Sequence, residues 1–319
     1  MKTILVTGGA GYIGSAAVNE LILKNFEVIV VDNLAKGNKS KIHPKAKLFK
    51  GDLCNKKFLE TIFSKNKIDA IMHFAAYKSV AESTKNPIKY SDNIKGTINL
   101  LNCVVKNKIK KIIYSSSAAV YGNSKKQIID ERTKINPMNY YGFTKLIGEE
   151  LIEEYSKIYN LDYCIFRYFN VGGDGGLNYA ECEPENVLPI LIENILKKEN
   201  KFIIFGKDYF TKDGTCVRDY IHVSDIVDAH IKALNIKGKE IINLGSSKGF
   251  SVKELIDETQ KVTNQKIDFE YGKKREGDPA KVIASNKKAK KILDWFPKRN
   301  LGDIIESTYR TYLKNFKEK

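Results

Sequence analysis

Along the first half of the chain, short continuous apolar runs alternate with longer stretches whose apolar residues recur every three or four positions. The runs Thr3–Val6, Glu27–Val31, Lys47–Lys50, Ala70–Phe74, Lys111–Ser115 and Tyr163–Arg167 predict strands. Between them, Ile13–Lys24 and Ile88–Lys106 carry the spacing of amphipathic helices. Near-continuous Val and Ile runs fit strands buried on both faces. Alternating with helices, they predict an α/β fold, a Rossmann-type doubly wound parallel sheet covered by helices on both sides. After about Tyr168 the rhythm loosens. Residues 170–186, rich in Gly, Glu and Asn, read as a long loop, and Val187–Leu196 as a helix. The expected organisation is a cofactor domain over 1–168 and a smaller domain over 169–319, with the chain crossing back once or twice.

The first turn after the first strand carries the first chemistry. Gly8, Gly11 and Gly14 lie between that strand and the first helix. Glycine at those positions permits a tight turn, close approach of backbone to a pyrophosphate, and close helix packing, with the helix N-terminus facing the phosphates. Asp32 closes the second strand, where a carboxylate accepts from both ribose hydroxyls and repels a 2′-phosphate. NAD is therefore expected rather than NADP. Asp52, after the third strand, reads equally as an adenine contact or as a helix N-cap.

A second cluster lies further on. Tyr141 and Lys145 are four residues apart at the start of a predicted helix and so share a face. A phenol with a pKa of about 10 is a poor base at neutral pH. A neighbouring ammonium and the positive charge of a nicotinamide both favour its phenolate, which suits general acid–base work at a sugar hydroxyl. The run Ser115-Ser116-Ser117 ends the fifth strand, on the edge where doubly wound sheets bind ligands.

Composition narrows the partners. A hydrophobic content of 42% suffices for a core and excludes general disorder. The net charge is +16, but the lysines are scattered, as in Lys273-Lys274 and Lys287-Lys288, with no basic arm. Nucleic-acid binding is not expected; it would show as steeply salt-dependent affinity. Five cysteines, an odd number with no paired spacing, argue against a disulfide scaffold or zinc site and for a cytoplasmic protein with Cys103 and Cys164 as buried thiols. Neither a signal peptide nor an apolar run long enough to span a membrane is expected. His73 and His222 read as hydrogen-bonded packing groups. No metal site is expected.

The segments TGGAGYIGS, VDNL, GDL, HFAAYKSVAES, DNIKGT, YSSSAAVYG, YYGFTK, RYFNV, FGKDYFTKDGTCVRDYIHV, NLGSSKGFSV and REGDPA run nearly end to end. In them the chain resembles the extended short-chain dehydrogenases/reductases, specifically those that epimerise UDP-hexoses at C4. The resemblance implies reversible C4 epimerisation of UDP-glucose and UDP-galactose through a 4-keto intermediate, with the N-acetylated pair open. It implies Tyr141 as catalytic base, Lys145 as its partner and Ser117 as the serine on the reacting hydroxyl. It places Gly8, Gly11, Tyr12, Ile13, Gly14, Asp32, Asn33, Asp52, Leu53, Phe74, Ala75, Lys78, Asn93, Ser115, Tyr141, Lys145 and Tyr168 on NAD. It places Ser117, Tyr141, Asn170, Asn186, Arg218, Arg275, Asp278 and Val282 on the UDP-sugar, making the region from 169 mainly the UDP-sugar domain. It also implies a homodimer through the helices near 88–106 and 141–158.

Arginines suit a diphosphate, and Asp278 a ribose; an Arg218–Asp219 surface pair is the plain alternative. The segment 172–185 is shorter than the family's usual loop and lies between two substrate contacts. The rival readings are a nucleotide-sugar 4,6-dehydratase or decarboxylase, or an NAD-binding regulator. Relatives that carry out elimination use an extra acid or base, typically an acidic residue just after the active-site serine or threonine, where Ala118 and Ala119 stand here; a regulator need not keep a base.

Overall fold

The computed structural model describes residues 1–124, 126–181, 184–197, 201–275 and 278–317. Cys182, and Glu276 and Gly277 of the REGDPA segment, lie outside them. Among the described residues Cys103 and Cys164 are buried free thiols, as expected. The chain divides into two units, one of residues 1–122, 135–167 and 227–242, the other of 123–134, 168–226 and 243–319.

The first unit is built on the predicted apolar runs. They form β1 (Thr3–Thr7), β2 (Glu27–Asp32), β3 (Lys47–Lys50), β4 (Ala70–His73) and β5 (Lys111–Ser117). Every residue of β1 and β4 is buried, as a strand covered by helices on both faces requires. One seven-stranded sheet runs Lys239–Leu244, Asp162–Tyr168, β5, β4, β1, β2, β3. The pairs β1–β2, β1–β4, β2–β3 and β4–β5 are parallel. The chain order reverses between β1 and β4, which makes the carboxyl ends of those strands the ligand edge.

Helices α1 (Tyr12–Leu23), α2 (Lys56–Lys65), α3 (Val80–Lys85), α4 (Pro87–Lys106) and α5 (Tyr140–Tyr159) belong to this unit. Asn55, Ser79, Asn86 and Asn139 cap α2 to α5 by accepting a first-turn N–H. Helices α4 and α5 pack together, over a core that includes Leu100, Leu101, Val104, Ile112, Ile152 and Ile165.

In the second unit the strand Val217–His222 pairs with Gly249–Ser251, Lys281–Ala284 and Asn170–Gly172, and Lys281–Ala284 pairs in turn with Ile128–Ile129. Helices Val187–Lys197, Val252–Thr263 and Leu301–Lys317 contribute Leu188, Leu191, Leu255, Ile256, Ile304 and Ile305 to its core. The predicted loop over 170–186 therefore opens with a strand. Asn and Gly are weak strand formers, and pairing with Tyr220–His222 imposes the extended form. The hydrophobic pattern also leaves out α2, which starts and ends on lysine, and the last sheet strand, Lys239–Leu244, whose apolar residues are interrupted by Asn243.

Candidate active site

The turn after β1 fits a dinucleotide. Gly8 sits at φ +71°, the left-handed region that glycine favours. A Cβ on Gly8 would lie 2.6 Å from the Ala75 nitrogen, beyond the end of β4, and one on Gly14 2.1 Å from the Gly8 carbonyl oxygen. Only bare backbone lets the turn, α1 and the exit of β4 meet. The N-cap of α1 is Gly11; no side chain caps it, and its first turn, with Tyr12, Ile13 and Gly14, holds no acidic residue. The positive end of α1 is thus left for an anion.

Asp32 is buried and tied to that turn: its Oδ2 accepts the Ala10 N–H at 3.0 Å and its Oδ1 the Leu34 N–H at 2.8 Å. Each oxygen keeps a lone pair for a ribose hydroxyl. Asn33 donates to Asp52 Oδ2 at 2.8 Å, and the Cys54 N–H to Oδ1 at 2.7 Å. Burial would raise the Asp52 pKa, but these bonds and the Lys95 charge outweigh it and lower it. Asp52 caps no helix; the cap of α2 is Asn55. The Leu53 carbonyl accepts from Asn99, and the Phe74 ring lies 4.8 Å from His230.

Asn93 is tied to its neighbours. Its Oδ1 accepts the Tyr77 N–H at 2.9 Å, and its Nδ2 donates to the Tyr77 carbonyl at 3.1 Å and to Thr144 at 3.2 Å. It holds the segment after β4 in place, beside the exposed Lys78.

The serine run and α5 come together as expected, in more detail than the spacing shows. The Ser117 hydroxyl lies by Tyr141 and acts on its ionisation, and it accepts the Ala119 N–H. Lys145 donates to the Ser115 carbonyl at 2.6 Å, and its Nζ stands 6.0 Å from the Tyr141 ring centroid and 5.1 Å from that of Tyr114. Burial raises the Tyr141 pKa, and the Ser117 hydroxyl opposes it. Burial lowers Lys145 to about 7, against the raising charge of Glu149. The expected help from the ammonium is therefore indirect: its nearest partner is a strand carbonyl rather than the phenol. Tyr140 is engaged elsewhere, sharing a 2.8 Å hydrogen bond with Ser91 of α4 and stacking on Phe143.

In the second unit, Arg218 does not pair with Asp219. Its Nη2 donates to Asp278, and its Nη1 to the carbonyls of Val217 and Pro279. Asp219 is buried and accepts from the Ser246 N–H and hydroxyl, the Ser247 N–H and the Ala284 N–H. Burial raises it to about 6 against those bonds. Val282 is the register partner of Arg218 in the neighbouring parallel strand. The exposed Arg275 lies over the Phe205 ring, 4.2 Å from its centroid. Asn170 donates to the Asp219 carbonyl. Tyr168 is buried, and Asn186 is exposed just ahead of helix Val187–Lys197.

The loop between Asn170 and Asn186 is held by helix Leu301–Lys317. The N–H groups of Gly173, Asp174 and Glu181 donate to Thr308, Ser307 and Tyr312 at 3.1, 3.2 and 3.2 Å. His222 shares a hydrogen bond with Ser307 and accepts the Ser224 N–H. His73 is bonded at both ring nitrogens, to Thr7 and Thr97. Both histidines are packing groups. Sequence reasoning missed Ser116, Tyr121, Glu149 and Arg167, which join behind Lys145. The signal was a further four-residue step from Lys145 to Glu149.

Among the described residues no group of acidic, His and Cys side chains could hold a metal, and no helix is long and apolar enough to cross a membrane.

Residues 4–245 match the model of the NAD dependent epimerase/dehydratase family. The chain is 42% identical over 316 residues to a UDP-glucose 4-epimerase of Lactobacillus helveticus, covering 96% of each. It is 43% identical over 317 residues to that of Streptococcus mutans, covering 96% of this chain and 95% of the relative. Among solved structures, a UDP-glucose-4-epimerase of Stenotrophomonas maltophila with bound NAD and formylated UDP-arabinopyranose superimposes with a TM-score of 0.96 at 32% identity, covering 100% of both chains. The glycine turn, the serine-ended strand and the Tyr–Lys helix thus stand in a chain that belongs to the NAD dependent epimerase/dehydratase family.

Proposed function

We propose that this chain catalyses reversible inversion at C4 of a UDP-hexose, interconverting UDP-glucose and UDP-galactose with NAD held throughout. The observation that carries the reading is the gathering of Ser117, Tyr141 and Lys145 at the carboxyl end of β5, in a chain similar over nearly its whole length to UDP-glucose 4-epimerases. The first unit supplies cofactor residues from Gly8 to Lys145, and Tyr168 joins them. In the second, Asn170, Asn186, Arg218, Arg275, Asp278 and Val282 serve the nucleotide sugar.

When bound, NAD supplies a hydride acceptor and donor at the sugar C4, so the net reaction is redox-neutral. The chain's residues handle the proton. Tyr141 takes it from the 4-hydroxyl and returns it. Ser117, whose hydroxyl lies by Tyr141, orients the same hydroxyl. Burial alone disfavours the phenolate, so its formation rests on positive charge, from Lys145 and from the oxidised nicotinamide. Lys145 is fixed by the Ser115 carbonyl and holds the nicotinamide ribose.

The short turn after Ser117 opens with Ala118 and Ala119, and two methyl groups supply no acid for elimination. That disfavours the dehydratase reading. The resemblance puts position 282 beside the sugar's 2-substituent, where the small Val282 leaves space for an acetamido group, so the N-acetylated sugar pair is included among the substrates. Exposed apolar residues on or beside α4 and α5, Ile88 at 85% and Ile158 at 70%, support a homodimer through these helices. Free thiols support a cytoplasmic location. A coupled assay over a panel of UDP-sugars, with mass analysis of the ligand released on denaturation, tests the reading. Turnover of UDP-galactose and release of NAD are expected. Absence of both overturns it.

A further inference from the structure

A buried charged network lies directly behind the catalytic groups. Tyr141, Lys145 and Glu149 recur every fourth residue on one face of α5, and each engages a different member of the serine run. Tyr141 lies by the Ser117 hydroxyl, Lys145 donates to the Ser115 carbonyl, and Glu149 accepts from the Ser116 hydroxyl. Glu149 is also gripped by Arg167, whose Nε donates to Oε1 at 3.0 Å and whose Nη2 donates to Oε2. The remaining arm of Arg167 donates to the Tyr121 hydroxyl at 3.0 Å. The Glu149 and Arg167 side chains are each 2% exposed. Helix α5 comes close enough for this only because Gly148 has no side chain; a Cβ there would lie 2.3 Å from the Tyr114 hydroxyl.

We infer that the Glu149–Arg167 pair is a positioning device that locks α5 onto the serine run and sets the charge environment of Lys145. The inference rests on reading Ser117, Tyr141 and Lys145 as the reacting groups. Four pieces of chain meet at the pair: α5, β5, the strand Asp162–Tyr168 and the turn Ala118–Tyr121. A carboxylate bonded by a hydroxyl and a forked guanidinium has one arrangement, which a purely apolar contact would not impose.

The groups facing Lys145 are few. On α5 they are Tyr141 and Glu149; on β5, the Tyr114 ring and the Ser115 carbonyl. On β4 there is His73, whose own protonation is suppressed by burial and, after it, by the Lys145 charge. Glu149 is the anion of this set, so it favours the ammonium form of Lys145 against burial. Arg167 limits that effect by sharing the carboxylate.

The test is steady-state epimerisation of UDP-galactose by the holoenzyme, with kcat and KM followed from neutral to alkaline pH. Glu149→Gln keeps the shape, removes the anion and leaves the Arg167 cation in place. The expected result is a kcat lower by about 10- to 100-fold, KM within about twofold, since uniform binding is untouched, and an alkaline limb moved to lower pH. Ser116→Ala and Tyr121→Phe keep the carboxylate, so a smaller kcat loss with an unmoved limb is expected. Wild-type kcat and pH profile in Glu149→Gln overturn the inference. So does a kcat loss with the limb unmoved, which marks a merely structural pair. If Glu149→Gln does not fold, wild-type kcat in both milder variants overturns it. A wild-type protein without epimerase activity instead overturns the proposed function.

Discussion

Tyr141 is half-buried beside the Ser117 hydroxyl, so Tyr141→Phe removes the acid–base group and little else. Turnover should fall by about 10²–10⁴-fold while NAD and UDP-sugar binding persist; stopped assays beside a ligand-binding titration read both. Near-normal activity would move the base to Tyr140, although that side chain is tied to Ser91. Asp32 belongs to the same scale. Both its oxygens are aimed by backbone N–H groups, so Asp32→Ala should weaken NAD, and wild type should carry NAD rather than NADP in the released-ligand analysis. A tenfold or greater preference for NADP would refute that reading of the carboxylate. At Val282 the prediction concerns size. On the proposed reading that Val282 lies beside the sugar's 2-substituent, a Tyr there would crowd an acetamido group, and overlap typically costs about 1–3 kcal/mol. UDP-N-acetylglucosamine should turn over with wild type and not with Val282→Tyr, while UDP-glucose is retained. Turnover of UDP-glucose alone by wild type, at matched concentration, would refute this.

At the scale of elements, the loop 173–181 takes its shape from a helix far away in sequence. Three of its N–H groups end on side chains of Leu301–Lys317. Thr308→Val or Tyr312→Phe should therefore raise KM for UDP-glucose more than it lowers kcat; unchanged KM in both would separate the loop from substrate binding. Such long-range bonds explain what the sequence shows and what it hides. The glycine turn, Asp32 and the Tyr–Lys step are local, and local spacing suffices to read them. Arg218 with Asp278 and Glu149 with Arg167 are pairs made by the fold, separated by 60 and 18 residues, and no periodicity links them. Likewise Asn170–Gly172 is a strand because Tyr220–His222 lies beside it.

Over the whole molecule, buried histidines set a pH dependence. His73 and His222 are pushed by burial from 6.5 to about 3 and about 4. Between those values the unfolded chain binds more protons, so their stability is complete above 6.5 and is lost as pH falls toward the folded values. Asp219, raised from 3.8 to about 6, acts oppositely: its contribution is complete below 3.8 and lost as pH rises through 6. Comparing variants isolates the terms. Between pH 7 and pH 5 each buried histidine should remove about 2 kcal/mol from the urea unfolding free energy of wild type, partly offset by Asp219, and His73→Asn should show a shallower pH slope. Equal slopes would contradict the assignment. The charge of +16 enters at this scale too, as a solubility property.

The order of strands in the seven-stranded sheet carries a consequence for synthesis. One border, β3, is four residues long with lysine at both ends, a design that discourages pairing with other chains. The other border is completed only by Lys239–Leu244, and until that segment emerges the apolar strand Asp162–Tyr168 is the margin. Some 70 residues separate the two strands, which at about 5–20 residues per second leaves that margin open on the ribosome for several seconds. A nascent chain arrested within that interval exposes an unguarded template for aggregation, whereas one released after Leu244 does not. Chaperone dependence of this protein should therefore concentrate in that window of translation.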